Sequence, residues 1–146
     1  MSNDKTIMQI KQELGNGLLD VQERSPHRIF LNVKPGAIVE TSRLMFEGLG
    51  ARLQIASGVD TSTEIEILYH WALDQLDQVF SVRVCLDREN PEIDTITSVC
   101  VAAEWIEREM WELLGIQFHN HPDMRHLLLS DDWPEGKYPL RRDYEA

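Results

Sequence analysis

Two neighbouring segments in the middle of the chain alternate apolar and polar side chains, and they constrain the fold more than any other feature. The apolar residues of the first segment are Ile65, Ile67, Tyr69 and Trp71, and those of the second are Phe80, Val82, Val84 and Leu86. A period of two is typical of a strand that buries one face against a core. Because only the polar stretch 72–77 separates them, we predict an antiparallel β-hairpin.

Helical periodicity and a further strand pattern precede this hairpin. Apolar residues at steps of three and four predict an amphipathic helix over residues 5–19, and alternation predicts a strand over residues 29–33. Pro35 stands where a helix begins without losing a needed N–H, and Gly50 suits the residue after a helix end. We therefore predict a second helix over residues 35–49.

The strongest helical pattern follows the hairpin. Thr97 and Ser98 offer capping hydroxyls at its start, and Gly115 suits its end. Its apolar stripe consists of Val99, Ala102, Ile106, Met110 and Leu113. Helices on both sides of a small group of strands predict an α+β fold.

Length and composition limit the class of protein. A chain of 146 residues with 42% apolar residues is sufficient for one domain with an ordinary core. Its apolar runs are far shorter than the roughly 20 residues that cross a bilayer, and its first residues do not resemble a secretory signal, so we expect a cytoplasmic location. The formal net charge of -11 would repel a phosphate backbone, which argues against nucleic acid as a partner.

Common catalytic and cofactor motifs are missing from the sequence. It contains no glycine-rich nucleotide loop and no Gly-x-Ser-x-Gly nucleophile motif. Two cysteines, Cys85 and Cys100, cannot by themselves hold an iron–sulfur cluster or a tetrahedral zinc, and both are expected to be reduced and buried. The chain therefore lacks a recognisable active site, and we expect no cofactor in it.

Residues 104–112 carry charges at a spacing of four. Glu104, Arg108 and Glu112 would lie on one face of the predicted helix, so each carboxylate could reach the guanidinium. A catalytic acid–base array is one interpretation, but ion pairing on a wet or interface face is the more common use of such spacing. We predict a structural triplet.

The last part of the chain, after Gly115, has little periodicity. It contains His119, His121 and His126, and these with Asp123 make a small metalloprotein one alternative, although their spacing fits no closed zinc pattern. It is also rich in proline, arginine and aromatic residues, a composition that favours an interface. An adaptor of a soluble pathway is a second alternative.

The sequence from Glu104 to Phe118, EWIEREMWELLGIQF, resembles the signature helix of the C subunit of bacterial NADH:quinone oxidoreductase. The resemblance continues in order and spacing through HPDMR, LLL, DDW, a glycine and PLRRDY, which end at Tyr144. It also covers the predicted hairpin. Related chains belong to complex I and to energy-converting membrane-bound [NiFe] hydrogenases.

This resemblance implies a structural role. The expected fold is α+β, with helices packed on a small mixed sheet, a long signature helix and an extended C-terminal tail. The implied protein is a peripheral subunit on the cytoplasmic side of the membrane that binds no redox group itself. It would hold a large catalytic subunit, which carries the quinone site or the nickel–iron centre, and a small subunit with an iron–sulfur cluster. The membrane arm would be an indirect partner, and electron transfer would be coupled to ion translocation.

We accordingly divide the chain into a globular domain, residues 1–118, and an interface arm, residues 119–146. The arm is expected to be poorly ordered alone because it has no periodic apolar face to bury. The expected interface residues are Glu104, Arg108, Glu112, His121, Pro122, Arg125, Trp133, Tyr138, Arg141, Arg142, Asp143 and Tyr144.

Overall fold

The structure is a computed structural model that describes residues 3–146. Within this range the helices are α1 (Asn3–Leu14), α2 (Ile38–Arg43) and α3 (Ala103–Leu114). The strands are β1 (Leu18–Ser25), β2 (Arg28–Val33), β3 (Arg52–Asp60), β4 (Glu64–Leu73), β5 (Gln78–Asp87), β6 (Glu92–Asp94) and β7 (Gln117–His119). The first five strands form a mixed sheet in the order β1-β2-β5-β4-β3, and β6 pairs with β7. The predicted α+β class is confirmed.

The predicted hairpin forms the centre of the large sheet. Strands β4 and β5 pair antiparallel from Glu64 opposite Asp87 to Leu73 opposite Gln78. Strand β2 joins β5 in parallel, and the other neighbours are antiparallel. The alternating apolar residues of all three strands face inward, as the period of two requires. Their fully buried members include Ile29, Leu31, Ile65, Ile67, Tyr69, Trp71, Phe80, Val82 and Val84.

The first predicted helix is too long at its C-terminal end. Helix α1 stops at Leu14, and Leu18 begins the edge strand β1. Gly15 has a φ of +51°, a conformation that glycine adopts without strain, and it turns the chain out of the helix. The segment predicted as the second helix is divided into three parts. It consists of a short 3₁₀ turn at Pro35–Ala37, helix α2, and a π-helical turn at Leu44–Gly48.

The predicted start of the long helix is also wrong. Helix α3 begins at Ala103, and residues 97–102 form turns instead. Neither Thr97 nor Ser98 caps the helix, because the N-cap residue is Ala102 and makes no side-chain cap hydrogen bond, while the Thr97 hydroxyl accepts from that of Thr95 (2.9 Å). The predicted end is correct: Gly115 has a φ of +80°, and its N–H donates to the carbonyl of Trp111.

Edge strand β3 was not predicted, because a bulge between Leu53 and Ile55 interrupts its alternation. Its Gly58 lets α3 pack closely, since a Cβ there would lie 2.4 Å from Leu114 Cδ1. One burial prediction is wrong as well: Cys100 is buried, whereas Cys85 lies exposed on the outer face of the sheet. None of the helices in residues 3–146 has the length and apolar character needed to span a membrane.

Candidate functional site

Helix α3 is fixed to the sheet by a buried carboxyl group. Glu107 is fully buried and accepts hydrogen bonds from the hydroxyl of Tyr69 (3.1 Å), the backbone N–H of Ile96 (3.1 Å) and the hydroxyl of Thr95. Burial raises the pKa of the Glu107 carboxyl, although these hydrogen bonds oppose the shift. From the sequence, Glu107 is only one more negative charge on the predicted helix. Its buried contact, which joins α3 to β4 and to the 95–96 turn, could not be predicted.

The predicted ion triplet on α3 is wrong. Arg108 donates instead to two backbone carbonyls of the tail, from Nε to Arg125 (2.9 Å) and from Nη2 to His126 (2.7 Å). Among the described residues, no ion pair joins Arg108 to Glu104 or Glu112. Spacing along a helix shows only which side chains can meet, and here the returning tail supplies better-placed acceptors.

Glu112 binds the same part of the tail through its carboxylate. This buried group accepts the backbone N–H groups of Leu127 (3.0 Å), Leu128 (2.7 Å) and Leu129 (3.2 Å), and His126 Nδ1 lies 3.1 Å away. Burial works to raise the pKa of Glu112, but the amide hydrogen bonds outweigh it and hold that pKa below its ordinary value. Arg108 and Glu112, with residues 125–129, form what we term the first anchor.

A second anchor joins the end of the tail to the sheet and to the end of α3. Asp60, at the end of β3, accepts two hydrogen bonds of 2.8 Å from Arg88 and one of 2.9 Å from the backbone N–H of Arg142. Arg142 Nε donates to the backbone oxygen of Asp60 (2.7 Å), and Arg141 Nε donates to that of Leu114 (2.6 Å). The Arg88 guanidinium holds the pKa of the Asp60 carboxyl well below its ordinary value. We define the second anchor as Asp60, Arg88 and residues 141–143.

The segment between the anchors carries aromatic side chains. Trp133 Nε1 donates to the carbonyl of Lys137 (2.7 Å), and the Trp133 and Tyr144 rings stack with centroids 6.5 Å apart. Tyr138 lies against Gly115, where a Cβ would come within 2.6 Å of its ring. A cleft of about 600 Å³ separates this segment from the end of α3, and its walls include Trp111, His126, Trp133 and Tyr138.

Comparison with known proteins identifies the family. Residues 31–146 match the model of the respiratory-chain NADH dehydrogenase 30 kDa subunit, which is most of the chain. The chain belongs to this family. It is therefore a subunit of the type found in respiratory-chain, complex-I-like NADH-quinone oxidoreductases.

Relatives within the family agree with this assignment. The chain is 30% identical to the C subunit of the NADH-quinone oxidoreductase of Geobacter sulfurreducens, over 97% of this chain and 89% of the relative. It is 45% identical to the C subunit of the F(420)H(2) dehydrogenase of Methanosarcina mazei over 92 residues, which cover 62% of this chain and 58% of that relative. This second match thus spans little more than half of the relative's length.

Solved structures share the family fold. A chain of the membrane-bound sulfane sulfur reductase, an archaeal respiratory membrane complex, gives a TM-score of 0.84 at 24% identity and covers 97% of this chain and 85% of its own length. A trypsin-resistant fragment of Nqo5 gives 0.64 at 20% identity, over 84% of this chain and 99% of the fragment. At these identities the likeness concerns the fold alone.

The two anchors account for many of the residues that the family resemblance selected. Arg108, Glu112 and Arg125 contribute to the first, and Arg141, Arg142 and Asp143 to the second. Glu104 contributes its backbone oxygen, 2.9 Å from His121 Nε2. Pro122, Trp133, Tyr138 and Tyr144 lie outside both anchors. Asp60 and Arg88 were missed, because no local pattern marks two residues that meet only after folding.

The histidines do not form the cluster that a metalloprotein would need. His119 lies near Glu92, at 3.5 Å, whereas His121 contacts Glu104 and His126 contacts Glu112. Within residues 3–146, the ligand atoms that do come within 4.8 Å of one another belong to Glu64, Glu66 and Cys85, on the outer face of the sheet. The histidine-based metal site is therefore not supported.

Proposed function

We propose that this chain is a non-catalytic structural subunit, without a redox group of its own, of a membrane-bound complex-I-like oxidoreductase. Its tail would dock the large catalytic subunit and the neighbouring small iron–sulfur subunit on the cytoplasmic side of the membrane. In this role it supports electron transfer coupled to ion translocation by holding other subunits in place. The setting is either quinone reduction or an energy-converting [NiFe] hydrogenase.

The observation that carries the proposal is the way the tail is held. Both anchors bind it largely through backbone atoms or arginine side chains, so other side chains of the segment remain available. Pro122 and Arg125 are exposed, and Trp133 and Tyr144 are half-exposed. Aromatic and arginine side chains on a pre-ordered backbone are typical anchors of protein interfaces.

The anchors also change the expectation for the isolated chain. The aperiodic sequence of the tail predicts poor order without a partner, yet its own domain supplies hydrogen bonds at both ends. We now expect the tail to be ordered near residues 125–129 and 141–143 before assembly. Docking would then cost less conformational entropy than the folding of a free arm.

Deletion of residues 131–146 tests the docking role. The tagged truncated chain should enter the membrane complex much less than the full chain, because the aromatic segment and the second anchor are lost. A matched control is Met8→Ala, which removes an exposed apolar side chain from α1 and should assemble normally. Full recovery of the large subunit with the truncated chain would contradict the proposal. Normal assembly with lost turnover would indicate a direct catalytic role instead.

The proposed absence of a redox group is tested separately. The purified full chain should contain far less than one equivalent of iron, zinc or flavin by elemental and optical analysis. About one equivalent per chain after gentle purification would overturn this part of the proposal. A soluble adaptor, the remaining alternative, would be recovered away from the membrane fraction.

A further inference from the structure

The first anchor holds the backbone of Leu128. Three consecutive N–H groups, of residues 127 to 129, converge on the single carboxylate of Glu112. Successive backbone N–H groups in a turn that point at one anion form a concave nest. Leu128, at the middle of the nest, is 65% exposed.

Leu128 differs from its neighbours in what it contacts. Leu127 and Leu129 are half-buried, and Met124 packs against the core. The backbone that carries Leu128 is also held by Arg108, on the same face of α3 as Glu112, which binds the carbonyls preceding the nest. An exposed leucine on a backbone fixed by two side chains loses little conformational freedom when it enters a pocket.

The charges beside Leu128 indicate the kind of surface that would receive it. Asp131 and Asp132 are exposed immediately after the nest, and Asp132 accepts a hydrogen bond of 2.6 Å from the Ser130 hydroxyl in its own loop. Arg125 on the preceding side is already paired with Asp123 at 3.0 Å. Within residues 3–146, no ion pair neutralises the two aspartates. An anionic lipid surface would be repelled, whereas a protein pocket with a basic rim would be attracted.

We infer that Leu128 is a pre-positioned anchor that inserts into an apolar pocket of a partner subunit, with lysine or arginine on the rim facing Asp131 and Asp132. This inference rests on the proposed function and identifies the chemistry of the docking contact. Leucine supplies the apolar burial, and the two carboxylates guide the approach and register. The role of the buried Glu112 is to hold the leucine in place.

The test uses the full-length tagged chain, purified with its complex from solubilised membranes. Leu128→Ala and Leu128→Asp should both lower the amount of large subunit that co-purifies with each chain. Because the burial of a leucine side chain is lost, the affinity of the alanine variant for the large subunit should fall by about tenfold or more. Met8→Ala is the matched control, since Met8 is 68% exposed but lies on α1. Asp131→Asn combined with Asp132→Asn should weaken association and reduce its salt dependence.

Several results would overturn the inference. Full assembly of both Leu128 variants would do so, and so would an equal loss of co-purified large subunit in the Met8→Ala control. The third is that the wild-type chain binds phosphatidylcholine–phosphatidylglycerol vesicles and that Leu128→Asp abolishes this binding. Circular dichroism of each variant should show an unchanged fold. The proposed function fails separately: if the chain truncated after Ser130, which keeps Leu128, still assembles with the large subunit, docking through residues 131–146 is wrong. If truncation prevents assembly but the Leu128 variants assemble, only the anchor is wrong.

Discussion

Replacing Glu112 by glutamine should release residues 127–129 from helix α3. The carboxylate accepts three backbone N–H groups, two at Oε1 and one at Oε2, where Leu128 binds at 2.7 Å. Glutamine can keep one oxygen in place, but its NH₂ group must then face an N–H donor. One charge-assisted hydrogen bond is lost and a buried donor is left unpaired, which together cost about 3 kcal/mol.

Hydrogen exchange of the three leucine amides measures this cost locally. A loss of about 3 kcal/mol corresponds to roughly hundredfold faster exchange when local opening controls the rate. Glu109→Gln, an exposed position on the same helix, is the matched control and should leave the exchange unchanged. Equal exchange in Glu112→Gln and wild type, or unprotected amides in the wild type, would refute the proposed first anchor.

The pH dependence of the first anchor follows from the lowered pKa of Glu112. A carboxyl whose pKa is lower in the folded state stabilises that state above its ordinary pKa of 4.5. This contribution is lost as the pH falls through the lower, folded value. Amide protection of residues 127–129 should therefore decrease only in acid, below about pH 4.5, and Glu112→Gln should remove this dependence.

Three further predictions concern the packing of α3 on the sheet. Gly58→Ala should cost about 1–3 kcal/mol of unfolding free energy in urea, because its Cβ would clash with Leu114; Gly36→Ala, with open space around it, should cost almost nothing. Tyr69→Phe removes a hydrogen bond to buried Glu107 and should cost about 1–2 kcal/mol, so unchanged stability would contradict that contact. Burial raises the pKa of the Glu107 carboxyl, so its protonated form stabilises the fold and this contribution is lost as the pH rises through the raised pKa. An NMR titration of Glu107 should give a midpoint above 4.5, and a midpoint below 4.5 would refute the effect of burial.

Local periodicity was sufficient to predict the centre of the fold. The faces of β4 and β5 could be read because each alternates without interruption from Ile65 to Leu86, apart from the turn. Strand β3 was not predicted because its bulge shifts the alternation of apolar and polar residues by one position. Strand β1 was not predicted because it is an edge strand with two irregularities in its pairing, and none of its residues is fully buried.

The candidate site was predictable in its residue types and not in its contacts. The spacing of Arg108 and Glu112 correctly places them on one face of a helix, but their partners lie 14 or more residues away in the returning tail. Likewise, Asp60 meets Arg142 across 82 positions. Such contacts depend on the path of the tail, about which an aperiodic sequence carries no local signal.

The most direct test of the proposed function is to identify the proteins that co-purify with the full chain. Tagged at its N-terminus and isolated from gently solubilised membranes, it should be recovered in a complex with one large catalytic subunit and one small iron–sulfur subunit. Quantitative mass spectrometry should find both partner subunits enriched together with the tagged chain. Recovery of the chain alone from the non-membrane fraction, or with an unrelated set of soluble proteins, would contradict a structural role in a respiratory membrane complex.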